Sequence, residues 1–294
     1  MSVPLLQMTE ITKRFPGVVA LDRVSLEVFP AEFVALIGEN GAGKSTLMKI
    51  LGGVYQPDEG AIQVGGAPVQ IRSVSDAIRL GVSFIHQELN VLDNIDVGGN
   101  VFLGREPLMG GPLRLIDRTR LYAQAQPYLD RLGLDISGRT PLSQLSLAQQ
   151  QMVEIAKALS LQSRILIMDE PTSSLTLTET ERLLQVARDL RAQGVSILYI
   201  SHRLGEIEGL ADRVVGLRDG KNAGGLARDE IRRDRMVKLM VGRDLERFYA
   251  PPDETVKPVR LHIENLRTER FPRREVSLDL CGGEILGMAG LVGA

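Results

Sequence analysis

Several stretches of this chain place residues at spacings suited to phosphate chemistry. Gly38-Glu39-Asn40-Gly41-Ala42-Gly43-Lys44-Ser45-Thr46 follows the apolar run 33–37 and precedes a second apolar run, 47–51. Strand, glycine-rich turn and helix start is the context in which G-x-x-x-x-G-K-[ST] cradles phosphate. Glycines let successive backbone N–H groups share one concavity, and the helix N-terminus adds the positive end of its dipole. Lys44 is placed to reach the β- and γ-phosphates, and the Ser45 hydroxyl to ligate Mg²⁺. Farther along, the apolar run 164–168 ends in Asp169-Glu170. A buried strand sets Asp169 at the carboxyl edge of a sheet beside the glycine loop, where it can hold Mg²⁺ through water. Glu170 is then placed to orient or deprotonate an attacking water.

Gln87, just after the apolar run 82–85, can ligate Mg²⁺ and sense a γ-phosphate, a role that rests on its context. His202, after the run 195–200, could hydrogen-bond a γ-phosphate oxygen; a satisfied core histidine is the alternative. In Leu145-Ser146-Leu147-Ala148-Gln149, a small polar residue opens a helix and offers a second anion-binding end. Ser146 is an N-cap on either reading.

These residues need a frame. Period-two alternation in 6–11 and 24–28, with Pro16-Gly17 between, reads as paired strands. Short strands follow at 61–64 and 68–71, and buried strands at 82–85, 164–168 and 195–200. Helical patterns at 118–132 and 149–161 mark an inserted helical subdomain, about 88–163, and another helix runs from about 179 to 193. Strands alternating with helices imply a parallel sheet covered on both faces. The expected fold is α/β: a P-loop NTPase core of mostly parallel sheet flanked by helices, with an antiparallel β subdomain and the helical insertion. The dense mixed charges of 225–247 read as a solvated amphipathic helix.

The chain has 294 residues, 44% apolar and 24% charged, with net charge −2. That composition suits about two globular domains and gives no electrostatic field for nucleic acid. Cys281 is the single cysteine, which excludes an internal disulfide and fits a reducing cytosol. The N-terminus has no signal-peptide pattern, and no apolar run approaches the ~20 residues that cross a bilayer.

Residues 276–294 align without a gap onto 24–42, with seven of nineteen positions identical. Gly290 and Gly293 match Gly38 and Gly41, but no counterparts of Gly43, Lys44 and Ser45 follow. The expected organisation is a first module over 1–247, a linker over 248–258 and the truncated start of a second module over 259–294. The chain is therefore expected to be a fragment.

Taken together, the glycine loop, Gln87, L-S-x-x-Q at 145–149, D-E-P-T at 169–172 and S-H-R at 201–203 resemble an ABC-type ATPase cassette. FIHQELN at 84–90, FLGREP at 102–107, QQMVEIAKALS at 150–160 and MVGR at 240–243 are similar to the ATP-binding subunits of bacterial monosaccharide importers. The resemblance implies ATP and Mg²⁺ as ligands, two cassettes in the full chain and Phe15 stacked on adenine. It also implies a permease docked after Gln87, an external sugar-binding protein acting indirectly, and a site of work on the cytoplasmic face of the membrane. Ser146 and Gln149 would act on nucleotide held by the opposing cassette. Leu147 and Ala148 depart from the family's usual glycines, and Thr176 stands where the family usually has Asp. Two unequal sites are expected: a hydrolytic one on the first glycine loop, and a weak one served by the altered signature. This fragment alone is expected to bind ATP and hydrolyse it poorly. A non-transport twin-cassette ATPase and a nucleotide-binding regulatory module are the alternatives. Against the first, a short Pro-Pro loop stands where a long charged helical linker would be expected.

Overall fold

The alternating residues near the N-terminus form the antiparallel strands β1 (Leu6–Phe15) and β2 (Val18–Val28). Their register shifts between Met8 and Ile11, where Glu10 takes a left-handed φ of 50°. The Ser25 hydroxyl accepts the Glu10 N–H at 3.0 Å, satisfying a donor that the bulge would otherwise strand. This computed structural model describes residues 3–86, 89–242, 258–269 and 271–289. They divide between two units, 1–245 and 246–294.

In the first unit, β3 (Phe33–Ile37) runs into α1 (Lys44–Leu51), followed by β4 (Glu59–Val64), β5 (Ala67–Val69), α2 (Val74–Arg79) and β6 (Val82–Ile85). Strands β2-β1-β4-β5 form an antiparallel sheet. The helical insertion holds α3 (Val97–Val101), a small hairpin β7 (Leu108–Met109) and β8 (Leu115–Ile116), then α4 (Arg118–Arg131) and α5 (Leu147–Leu159). The chain returns through β9 (Ile165–Asp169), α6 (Leu177–Ala192), β10 (Ser196–Ile200), α7 (Leu204–Leu210), β11 (Arg213–Arg218), β12 (Lys221–Ala227) and α8 (Arg233–Val241).

The second sheet runs β12-β11-β3-β10-β9-β6, parallel except for the edge strand β12. β3 shows why its sequence is apolar without alternation. Phe33, Ala35 and Ile37 face the core shared with the helical insertion and α6, whereas Val34 and Leu36 face the core shared with α1 and the antiparallel sheet. A strand covered on both faces has no polar side to show.

One expectation fails. The charged stretch from 225 onward is not a single helix but the end of β12, a 3₁₀ turn (Arg228–Glu230) and α8. Glycines explain it. A Cβ on Gly216 of β11 would sit 2.5 Å from Leu239 Cγ, so these small residues form the notch into which α8 packs.

The second unit contains β13 (Val259–Thr268) and β14 (Phe271–Cys281). It repeats the first hairpin in detail. The register shifts between Ile263 and Leu266, Asn265 takes φ 54°, and the Ser277 hydroxyl accepts the Asn265 N–H at 2.9 Å. Gln7 donates to Glu27 across the first hairpin at 2.9 Å; His262 faces Asp279 at the matching positions of the second. Linker residues 248–257, Gly290, Gly293 and Gln87 lie outside the described residues.

Candidate functional site

The loop between β3 and α1 closes on itself. Lys44 Nζ donates to the Gly38 carbonyl at 2.8 Å and the Glu39 carbonyl at 3.1 Å, which draws the side chain across the loop. Gly43 has φ 99°, and a Cβ there would lie 2.7 Å from the Ala20 carbonyl. Only glycine satisfies both conditions. Gly43 thereby seats the loop against β2 and frees the N-terminal N–H groups of α1.

A cavity of about 910 Å³ opens over this loop. Asn40 to Thr46 form its floor, with Asp169, Glu170 and His202 on one wall. A second wall comprises Val18, Val19 and Ala20 of β2 with Asp219 and Gly220 from the β11–β12 turn. The spacing of the motifs gave no hint of that second wall. The Asp-Gly turn was its one sequence signal.

Asp169 is the last residue of β9, and burial followed by the neighbouring Glu170 charge pushes its carboxyl above the usual range, against the pull of Lys44. Burial pushes the Lys44 ammonium down, against the same two carboxylates. Glu170 follows with a left-handed φ of 46°, a costly backbone for a non-glycine residue, and its N–H donates to Ile200 at 2.9 Å. The turn aims its side chain over the loop, where Oε1 lies 3.2 Å from His202 Nδ1. The imidazole is 65% exposed, which rules out a satisfied core histidine.

Two groups of supporting residues were not legible in the motifs. Glu206 on α7 accepts from the Tyr199 hydroxyl at 2.5 Å, from Thr172 Oγ1 at 3.0 Å and from Ser201 Oγ at 3.3 Å. It thus pins the turn after Glu170 to the strand end before His202. On α5, Glu154 is only 3% exposed and accepts the Asn90 N–H at 3.1 Å, while Lys157 donates to the Asn90 carbonyl at 3.1 Å. Gln151 donates to the His86 carbonyl at 3.5 Å. One face of α5 therefore holds the chain on both sides of position 87.

Ser146 caps α5 with a reciprocal capping box to Gln149; neither residue lines the cavity. Leu147 beside them is 61% exposed, and Ala148 packs on the core. Thr176 and Glu179 form the same reciprocal cap on α6. Phe15 ends β1 opposite Val18, edge-on to Tyr55 at 5.3 Å between ring centroids.

The donor set suits Mg²⁺ held together with a bound phosphate. Among the described residues no group of three or more His, Cys, Asp or Glu side chains forms a metal cage. Ser45 and Asp169 share the cavity and offer a hydroxyl and a carboxylate, hard oxygens of the kind this ion takes alongside phosphate oxygens.

Similarity to known proteins agrees with this geometry. The chain is 47% identical over 294 residues to the galactose/methyl galactoside import ATP-binding protein MglA 1 of Photobacterium profundum, covering 100% of this chain and 59% of that one. It is 47% identical over 293 residues to the ribose import ATP-binding protein RbsA 1 of Rubrobacter xylanophilus, covering 99% and 57%. The chain thus spans under two thirds of the length of either relative. Among solved structures, the fold matches a nucleotide-free ATP-binding cassette from an ABC transporter with TM-score 0.70 at 23% identity, over 81% of this chain and 98% of that one. It matches the ADP conformation of MJ1267, an ATP-binding cassette of an ABC transporter, with TM-score 0.71 at 24% identity, over 82% and 100%. Residues 21–173, just over half of the chain and the span from β2 to the turn beyond Glu170, match the family described as ABC transporter, and the chain belongs to that family.

Proposed function

We propose that this chain is the first nucleotide-binding cassette of an ATPase that powers monosaccharide import through a membrane permease, working on the cytoplasmic face. The observation that carries the reading is Glu170, turned over the phosphate loop by its left-handed backbone and 3.2 Å from His202. The backbone N–H groups of 40–46 and the Lys44 ammonium bind the β- and γ-phosphates of ATP. Ser45, Asp169 and Gln87 would hold Mg²⁺, which supplies neutralisation of phosphate charge. Glu170 orients a water on the γ-phosphorus and takes its proton as the new P–O bond forms and the bond to ADP breaks. His202 and Gln87 read the γ-phosphate, and Phe15 stacks on adenine.

The names of the relatives, galactose/methyl galactoside and ribose import ATP-binding proteins, support the sugar assignment. The repeated bulge and serine of β13–β14 support a second cassette beginning at 259. Ser146 and Gln149 would face nucleotide on that second cassette. With Leu147 and Ala148 in place of glycines, that site would be the weaker of two and non-hydrolytic. An external sugar-binding protein would act through the permease, and no nucleic acid is involved.

Single-turnover phosphate release from the full-length protein, with and without Glu170→Gln, tests the reading. Tight ATP binding with turnover lost in the variant is expected. Unchanged turnover would sink it, and absent turnover in both proteins would favour a regulatory module. If Ala148→Gly doubled or tripled the full-length rate, the assignment of a non-hydrolytic second site would be wrong.

A further inference from the structure

The helical insertion carries a feature that the nucleotide chemistry does not use. β7 and β8 pair Leu108 with Ile116 and Met109 with Leu115, so successive pairs point to opposite faces of a two-stranded ribbon. Leu113 stands in the connecting 3₁₀ turn, which is bounded by Gly110 at φ 78° and Arg114 at φ 47°. All five apolar side chains are between 44% and 75% exposed. Single exposed leucines are ordinary, but five on both faces of one short ribbon make an apolar tip. The ribbon is held at its base, where the Asp117 N–H donates to the Pro107 carbonyl at 2.8 Å and the Asp117 carboxylate caps α4.

Charge says what would cover the tip. Arg114, Arg118 and Arg120 are exposed, and none makes an ion pair among the described residues. The acids nearby, Glu106 and Asp117, are half-buried, and Asp117 is occupied as a cap. Cytoplasmic loops of membrane proteins carry an excess of Lys and Arg, so an arginine collar is mismatched to them. The cytoplasmic lipid surface is anionic and attracts juxtamembrane arginines. An apolar tip with a basic collar suits the boundary between headgroups and acyl chains.

We infer that the 108–116 hairpin is a membrane-interface wedge, whose apolar tip enters an anionic lipid surface while Arg114, Arg118 and Arg120 bind its headgroups. The inference rests on the reading that the cassette works against the cytoplasmic face of a membrane. It can be tested apart from the ATPase, because vesicle binding is measured without nucleotide.

The experiment is co-sedimentation of the chain with protein-free vesicles of phosphatidylcholine alone and of phosphatidylcholine with phosphatidylglycerol. Binding to the anionic vesicles should exceed binding to the neutral ones by roughly tenfold or more and fall with added salt. Leu113→Ser with Leu115→Ser should lower it about tenfold or more. A triple Arg→Gln change at 114, 118 and 120 should lower it comparably. Thermal melting checks that each variant folds. No preference for anionic vesicles would overturn the inference. So would binding confined to neutral vesicles containing the purified permease and lost in the leucine variant, which would assign the tip to a protein partner.

Discussion

His202 Nδ1 lies 3.2 Å from Glu170 Oε1, and the two residues follow adjacent parallel strands, β10 and β9. The strand register and the Glu206 contacts to Thr172 and Ser201 therefore set the distance between the proposed base and the group that reads the γ-phosphate. Glu170→Gln keeps the shape and removes the proton acceptor. In the full-length protein, multiple-turnover phosphate release should fall by roughly 10²–10⁴. Affinity for a fluorescent ATP analogue should be retained.

Asp169 predicts a pH dependence of metal loading. Burial and the Glu170 charge raise its pKa, so protons compete with Mg²⁺ at higher pH than at an ordinary aspartate. Titration calorimetry should show Mg²⁺-dependent ATP affinity at its full value above that raised pKa and falling as pH drops through it. Asp169→Asn should be weaker throughout and flatter with pH.

Glu154 predicts an effect on stability. Burial raises its pKa in the folded state, so its contribution is fully present below the ordinary carboxylate range and is lost as pH rises through the raised value. Glu154→Gln removes the buried charge and keeps an acceptor for Asn90. The variant should melt above the parent at pH 7, by about 2–4 °C for each kcal/mol recovered, with the gap closing in acid. Glu154→Ala removes the acceptor of the Asn90 N–H altogether and should melt lower at either pH, by roughly 1 kcal/mol for the lost hydrogen bond.

Gly43→Ala tests the seating of the loop. The new Cβ would meet both the Ala20 carbonyl and Leu21 Cδ2 at 2.7 Å, on a backbone that disfavours any side chain. ATP affinity, read by equilibrium dialysis, should fall at least tenfold while the variant still folds.

The parts legible in the sequence were those whose physics is local. Strands β3, β9 and β10 announced themselves because burial on both faces leaves an unbroken apolar run. The phosphate loop was legible because its glycines, Lys44 and Ser45 act within one turn. Nothing local relates Ala20 to Gly220, yet the Cβ of an alanine at 220 would sit 2.8 Å from the Ala20 carbonyl. Glu154 looked like one more polar residue on a helix until α5 was set beside Asn90. β12 was hidden for another reason: as an edge strand with Gly224 and Gly225, it needs no hydrophobic period.

The two hairpins differ at most positions; even the Gln7–Glu27 cross-strand pair has become His262–Asp279. The bulge and its answering serine are the same in both. Losing the bulge would slip a strand by one residue and turn its inward side chains outward. Ser25 and Ser277 therefore act as matching register pins: the residues around each hydroxyl differ between the hairpins, while the geometry it secures is the same.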